Sequence, residues 1–156
     1  MLVVRGRLER RQAIIEIGIQ PFVPTPQQVD GYGYNNQPIQ IGINPYRALL
    51  DTGAQRTCLT KRTINAEGLK NHGKKLLRNV HSEALHRLYY ANIGFWTNGV
   101  SEDPNSTTKS YFAWNRPIEV MNIADNENFD AIIGMDILEN FSLNFSKGGH
   151  FEMQLA

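Results

Sequence analysis

Ala48-Leu49-Leu50-Asp51-Thr52-Gly53-Ala54 is the stretch that decides the fold expected for this chain. Its apolar start predicts a strand, and Asp-Thr-Gly predicts a turn in which Thr can hydrogen-bond and Gly allows a close backbone approach. The turn therefore aims the Asp51 carboxylate in one direction. Because the same residue types are common in ordinary turns, the motif stays a hypothesis until its surroundings agree.

The residues that follow the turn support the interpretation of Asp-Thr-Gly as more than an ordinary turn. Thr57 and Leu59 come six and eight residues after Asp51, in a predicted short strand. Much later, the apolar pair and glycine of Ile132-Ile133-Gly134 precede a brief helix predicted over Met135–Phe141. A strand, an Asp-Thr-Gly turn, a second strand and an apolar-apolar-Gly segment before a helix form a pattern that an isolated turn does not require.

The rest of the chain reads as short strands separated by turns. Thr60 can cap a short helix that Gly68 ends, and Gly148-Gly149 suits a tight hairpin turn because glycine accepts positive φ. Many short strands at turn spacing with one or two brief helices predict a mainly β, closed-barrel-like fold. The predicted strands are Ala13–Ile19, Ile39–Ile43, Tyr46–Leu50, Thr57–Leu59, Lys74–Val80, Arg87–Phe95, Pro117–Ile123, Phe129–Gly134, Ser142–Phe145 and His150–Leu155.

Length and composition favour a single domain and argue against nucleic-acid-binding and membrane-spanning proteins. A chain of 156 residues is the size of one domain, since domains run at roughly 100–200 residues. The formal charge of +1 argues against a nucleic-acid partner, and no apolar run approaches the ~18 residues of a membrane helix. A single cysteine, Cys58, is compatible with a reducing compartment, so we expect the protein in the cytoplasm.

Three segments together resemble the retropepsin-like aspartic peptidases, the single-domain relatives of pepsin, and are nearest to the bacterial and cellular members: Leu49–Ala54, Thr57 with Leu59, and Ile132–Leu138. The resemblance divides the single domain into a retropepsin-like peptidase part, residues 39–156, and residues 1–38. The latter contain an N-terminal strand and a Pro/Gly-rich connection. The sequence leaves open whether residues 1–38 form a pro-segment, a dimer arm or a barrel strand.

What the resemblance implies is a pair of catalytic aspartates that activates water. Only one Asp-Thr-Gly is present, so Asp51 would meet its copy across the two-fold axis of a homodimer. The two carboxylates would share one proton, one acting as general base while the protonated partner polarises the peptide carbonyl. Thr52 would hydrogen-bond across the dimer, and Gly53 would donate its amide to the carboxylate. The implied partners are a second copy and a peptide or protein substrate, without metal or cofactor.

A flap hairpin that closes over the substrate is also implied by the resemblance. Arg87–Phe95 would be its returning strand, with residues 81–86 near its tip. We therefore expect substrate to contact the end of the catalytic turn and this tip. The substrate-binding residues implied are Ala54, Gln55, His81, Ser82, Glu83, Ala84, Leu85 and His86.

The chain departs from the retroviral pattern in three places. Gln55 and Met135 stand where retroviral members commonly carry Asp and Arg, and no glycine lies between Gly73 and Gly94, where a retroviral flap is glycine-rich. These departures favour an alternative function, a binding or scaffold module that keeps the barrel without peptidase activity. The intact catalytic turn favours the peptidase.

Other candidate side chains are interpreted as structural. The histidines at 72, 81 and 86 are not spaced to lie on one helix turn, and no carboxylate pattern completes a metal site, so we expect them in solvated loops. Cys58 is expected to be a small buried apolar side chain. In the last strand, the alternation of Phe151, Met153 and Leu155 predicts an apolar face that a partner could bury.

Overall fold

The computed structural model describes residues 2–22, 42–78, 83–97 and 110–155. In these ranges neither helix is long and apolar enough to cross a membrane. Residues 39–41 of the expected strand Ile39–Ile43 lie outside the described part, and its last two residues do not form a strand.

The elements in chain order are β1 (Leu2–Arg7), β2 (Ile14–Pro21), β3 (Tyr46–Leu50), β4 (Cys58–Thr60), α1 (Lys61–Glu67), β5 (Asn71–Arg78), β6 (Glu83–Thr97), β7 (Ser110–Ala113), β8 (Ile118–Ile123), β9 (Ala131–Ile133), α2 (Met135–Leu138), β10 (Ser142–Ser146) and β11 (His150–Leu155).

Six strands close into a barrel in the order β2-β3-β9-β4-β8-β6, and β6 pairs back onto β2. Short β-branched and aromatic strands favour this arrangement because alternate side chains fill the interior. The fully buried side chains include Ile17, Leu59, Phe95 and Ile133. The predicted mainly β, closed-barrel fold with two short helices is therefore confirmed.

Strand β9 lies between β3 and β4, parallel to the first and antiparallel to the second. Leu50 at the end of β3 is in register with Ile133 at the end of β9. Since parallel strands end at the same edge of a sheet, the turn after β3 and the glycine after β9 emerge side by side. The adjacent ends of β3 and β9 therefore bring together the two segments of the candidate site.

The helix after β4 begins and ends where its local residues predict. Thr60 is the N-cap in extended conformation, although its hydroxyl pairs with the Thr63 hydroxyl, at 2.7 Å between the two oxygens, and caps no backbone amide. Gly68 follows the last turn with φ of 63°, in the left-handed region where glycine is favoured. Local residues are therefore sufficient to place α1.

A three-stranded sheet in the order β1-β11-β10 packs beside the barrel. The β10–β11 hairpin turns through Gly148 and Gly149, whose φ values of 89° and 81° are both positive, as predicted. Phe151 and Met153 of β11 are only 2% and 0% exposed, inside the core of this chain. The prediction that a partner buries these two side chains is wrong, because the sheet already packs its apolar face onto the barrel.

Candidate active site

The Asp-Thr-Gly turn is held by one local hydrogen bond to the Asp51 carboxylate and by one long-range hydrogen bond from the Asp51 backbone to strand β9. The Gly53 amide donates to Asp51 Oδ1 at 2.8 Å, and the Asp51 amide donates to the Ile133 carbonyl at 3.0 Å. Asp51 is partly buried, whereas Thr52 and Gly53 are exposed. The buried strand ends therefore anchor a turn that presents its carboxylate and backbone to the outside of the barrel.

Gly134 is the contact point between the catalytic turn and the segment after β9. A Cβ built on Gly134 would lie 2.6 Å from the Arg56 carbonyl carbon and 2.9 Å from the Ala54 carbonyl oxygen. The next two amides, of Met135 and Asp136, donate to the backbone after the turn, at Ala54 and Gln55. Only glycine fits here, because the two backbones approach closer than a side chain allows.

Asp136 locks the two segments together, a role that sequence reasoning missed. Its carboxylate accepts the Thr57 amide at 2.9 Å and the Thr57 hydroxyl at 2.8 Å. The Thr57 hydroxyl accepts in turn from the Gly134 amide at 3.2 Å. The sequence did single out Thr57, six residues after Asp51. It gave no sign of the partner, because Asp136 lies 79 residues further along the chain than Thr57.

Replacing Asp136 with Ala should destabilise the protein by about 3 kcal/mol, because Thr57 is fully buried and its amide and hydroxyl would lose their acceptor. Urea unfolding of the variant measures the loss. The matched control is Glu139→Ala, since Glu139 is exposed at the end of α2. Equal stability of the two variants would contradict the locking role of Asp136.

The predicted substrate-binding residues fall into two groups. Ala54 and Gln55 lie at the end of the catalytic turn, beside Gly134, and Gln55 is exposed. His81 and Ser82 lie outside the described residues. Glu83, Ala84, Leu85 and His86 form the start of β6, in register with the end of β5.

His86 is the fourth residue of β6, in the part of the strand that follows the β5–β6 connection. Its Nδ1 lies 3.1 Å from the Asn122 carbonyl oxygen of β8. The expectation that the described histidines, His72 and His86, sit in loops is wrong, because both are in strands of the β5–β6 hairpin. The hairpin is longer than predicted because pairing with neighbouring strands extends β6 in both directions.

Cys58 lies behind the catalytic turn and is poorly suited to nucleophilic chemistry. Burial, followed by the Asp136 charge, raises the pKa of its thiol to about 11. A thiol with this pKa stays protonated at neutral pH, and the thiolate is the reactive form. The side chain is only partly buried, although the sequence predicted a buried one, and its raised pKa supports the interpretation that it is structural.

Comparisons with known proteins agree with this geometry. The family model of the retroviral aspartyl protease matches residues 36–145, more than two thirds of the chain. Among solved structures, the crystal structure of a retropepsin-like aspartic protease from Rickettsia conorii is similar in fold, with a TM-score of 0.54 and 15% sequence identity over 97% of this chain and 89% of that chain. No curated protein matches the sequence. The chain thus belongs to the retroviral aspartyl protease family.

Proposed function

We propose that this protein is an aspartic endopeptidase that acts as a homodimer on peptide or protein substrates. The observation that carries the proposal is the Asp51 carboxylate, held by the Gly53 amide at the end of a buried strand in a chain of this family. One such turn per chain supplies one carboxylate. A second copy is therefore needed to complete the pair.

In the proposed mechanism, the two Asp51 carboxylates share a single proton, because two like charges a few ångströms apart cannot both be ionised cheaply. The ionised carboxylate takes a proton from water as the water attacks the peptide carbonyl. The protonated carboxylate donates a hydrogen bond to the carbonyl oxygen and then transfers its proton to the leaving amine. Thr52 and Gly53 keep the two carboxylates in place, and Ala54 and Gln55 contact the substrate.

The edge of β10 is the surface that we assign to the second copy. β11 has no free edge, because β1 pairs with one side and β10 with the other. Phe145 of β10 lies opposite buried Phe151 yet is 60% exposed, so the apolar face of the sheet extends beyond what its own chain covers. Gly134, in contact with the catalytic turn, precedes β10 by only eight residues.

The charges of the two outer strands favour β10 over β1. β1 exposes Arg5 and Arg7, and like charges placed opposite each other destabilise strand pairing. β10, with the sequence Ser-Leu-Asn-Phe-Ser, carries no charge. A two-fold pairing of β10 with its copy would join two three-stranded sheets into one of six strands, with Phe145 covered by the partner.

Phe145→Glu should weaken the dimer by about 30-fold or more, because it places a charge in each apolar contact across the two-fold axis. Sedimentation over a range of concentrations measures the dissociation constant. The control is Arg7→Glu, on the other outer strand, which should leave dimerisation unchanged. Dissociation by Arg7→Glu with no effect of Phe145→Glu would show that β1 forms the interface.

A peptide-binding module without turnover is the second candidate function. The exposed side chains of Gln55 and Met135 favour it, since they stand where the resemblance leads us to expect a charged pair. Incubation with a diverse peptide mixture separates the two functions. New peptide termini support the peptidase, whereas binding without cleavage supports the module.

We keep the cytoplasm as the proposed location because Cys58 is a free thiol.

A further inference from the structure

We infer that Glu119 is a positioning residue, which ties the base of the β5–β6 hairpin to the backbone that follows the catalytic turn. The inference rests on the proposed function insofar as this hairpin closes over substrate. It concerns a cluster of four side chains that the proposed mechanism does not use: Arg56, His72, Tyr90 and Glu119.

The first half of the tie is the ion pair between Glu119 and Arg56. Arg56 Nη1 lies 2.5 Å from Glu119 Oε1 on β8. Two contacts hold the Arg56 backbone in place. Gly134 packs directly against the Arg56 carbonyl group, and the next residue, Thr57, donates its amide to Asp136. The guanidinium therefore extends from a rigid base, and the carboxylate of Glu119 is anchored to the catalytic turn.

The second half of the tie is His72, which a β-bulge aims at the same carboxylate. Asn71 pairs with Tyr89 and Gly73 pairs with Leu88, so His72 is the extra residue of the bulge. The Asn71 side-chain oxygen accepts the Gly73 amide at 2.8 Å and thereby stabilises the bulge. Bulges reorient a side chain relative to a regular ladder.

The reoriented imidazole of His72 stacks on the ring of Tyr90, at 4.0 Å between centroids and 7° between planes. Tyr90 and Glu119 are cross-strand partners on β6 and β8, so the stack leads directly to the carboxylate. His72 Nε2 lies 3.8 Å from Glu119 Oε2, the oxygen that Arg56 does not engage through its 2.5 Å contact. The two oxygens of one carboxylate thus face basic side chains from different parts of the site.

This arrangement makes the position of the hairpin depend on the contacts of Glu119. Arg56 and His72 approach the two oxygens of Glu119 from different segments, so removal of the carboxylate weakens both contacts at once. Two lysines, Lys70 and Lys74, lie two positions from His72 along the chain, and the ion pair that the described residues give His72 is the one to Glu119. Glu119 is therefore the anion that faces the imidazole from β8, and its removal should uncouple the hairpin.

Amide hydrogen exchange tests the tie without depending on activity. In Glu119→Gln, which preserves shape but removes the charge, amides of residues 71–78 and 83–90 should exchange about three-fold faster, the size of effect expected for a partly exposed ion pair. His72→Phe, which keeps a stacked ring, should give a similar change. Because both variants break one tie, the double variant should exchange no faster than either alone. Glu127→Gln, a charge removal in an exposed loop, should behave as wild type.

Peptidase kinetics supply the second readout. KM should rise about three-fold in Glu119→Gln and in His72→Phe relative to wild type, with kcat changed less than KM. A uniform increase of exchange throughout the protein, additive single variants, or hairpin exchange equal to that of Glu127→Gln would each overturn the inference. If wild type cleaves no peptide, the proposed function fails, and hydrogen exchange alone decides the role of Glu119.

Discussion

Asp51→Asn should reduce peptide cleavage by about 10³-fold or more while leaving the fold and the dimer intact. The amide has the shape of the carboxylate, and its oxygen can still accept the Gly53 amide as Asp51 Oδ1 does at 2.8 Å. It cannot take a proton from the attacking water. The variant therefore removes the general base from both halves of the site at once.

Cleavage of a fluorogenic peptide found with the peptide mixture measures the effect, with sedimentation and circular dichroism to check assembly and fold. Asp125→Asn is the matched control, because its oxygen can keep the hydrogen bond from the Arg62 amide at 2.9 Å. Wild-type activity in Asp51→Asn, or inhibition by a chelator but not by a pepstatin-like transition-state mimic, would contradict the mechanism.

The pH profile gives a further check on the shared proton. The proposed mechanism requires one proton on the Asp51 pair, so kcat should fall on the alkaline side as this proton is lost, and the optimum should be acidic. Replacing His81 and His86 with Gln should leave this fall in kcat unchanged. A flat kcat profile up to mildly alkaline pH would exclude a shared proton.

Gly134→Ala should destabilise the protein by about 3 kcal/mol or more, the upper range for overpacking, and should abolish activity as well. The added Cβ would lie 2.6 Å from the carbonyl carbon and 2.7 Å from the carbonyl oxygen of Arg56. These are backbone atoms between two anchored strands, so they cannot move aside as a flexible side chain does. The φ of Gly134, −94°, is available to alanine, and the cost is therefore steric.

Urea unfolding measures this cost against Gly73→Ala. A Cβ on Gly73 would meet only Leu88 Cδ1, at 3.9 Å, and its φ lies outside the left-handed region, so the control should change stability by less than about 1 kcal/mol. If Gly134→Ala is as stable as the control, the segment after β9 is not clamped against the catalytic turn as the structure indicates.

Features with local causes were predictable from sequence. The end of α1 at Gly68 depends on a left-handed residue, and the final hairpin depends on two glycines with positive φ. The strand before Asp51 depends on an apolar run, and Asp-Thr-Gly is a contiguous motif. In each case the residues that determine the conformation are within a few positions of one another, so their preferences can be read directly from the chain.

Features that depend on distant pairing were not predictable. β1 was not expected as a strand and forms because Leu2–Arg7 pairs with β11 at the other end of the chain. The extra residue at His72 exists only in the register of β5 against β6. Strand pairing fixes both features, and a register cannot be read from one strand alone.

By itself, the sequence determined the Asp-Thr-Gly turn, the mainly β class and the two short helices, because hydrophobic periodicity and turn chemistry act over a few residues. Only the tertiary structure decided that Asp136 holds Thr57, that Phe151 and Met153 face their own core, and that Glu119 stands between Arg56 and His72. These contacts join residues that are far apart in the chain, and the order and register of the strands bring them together.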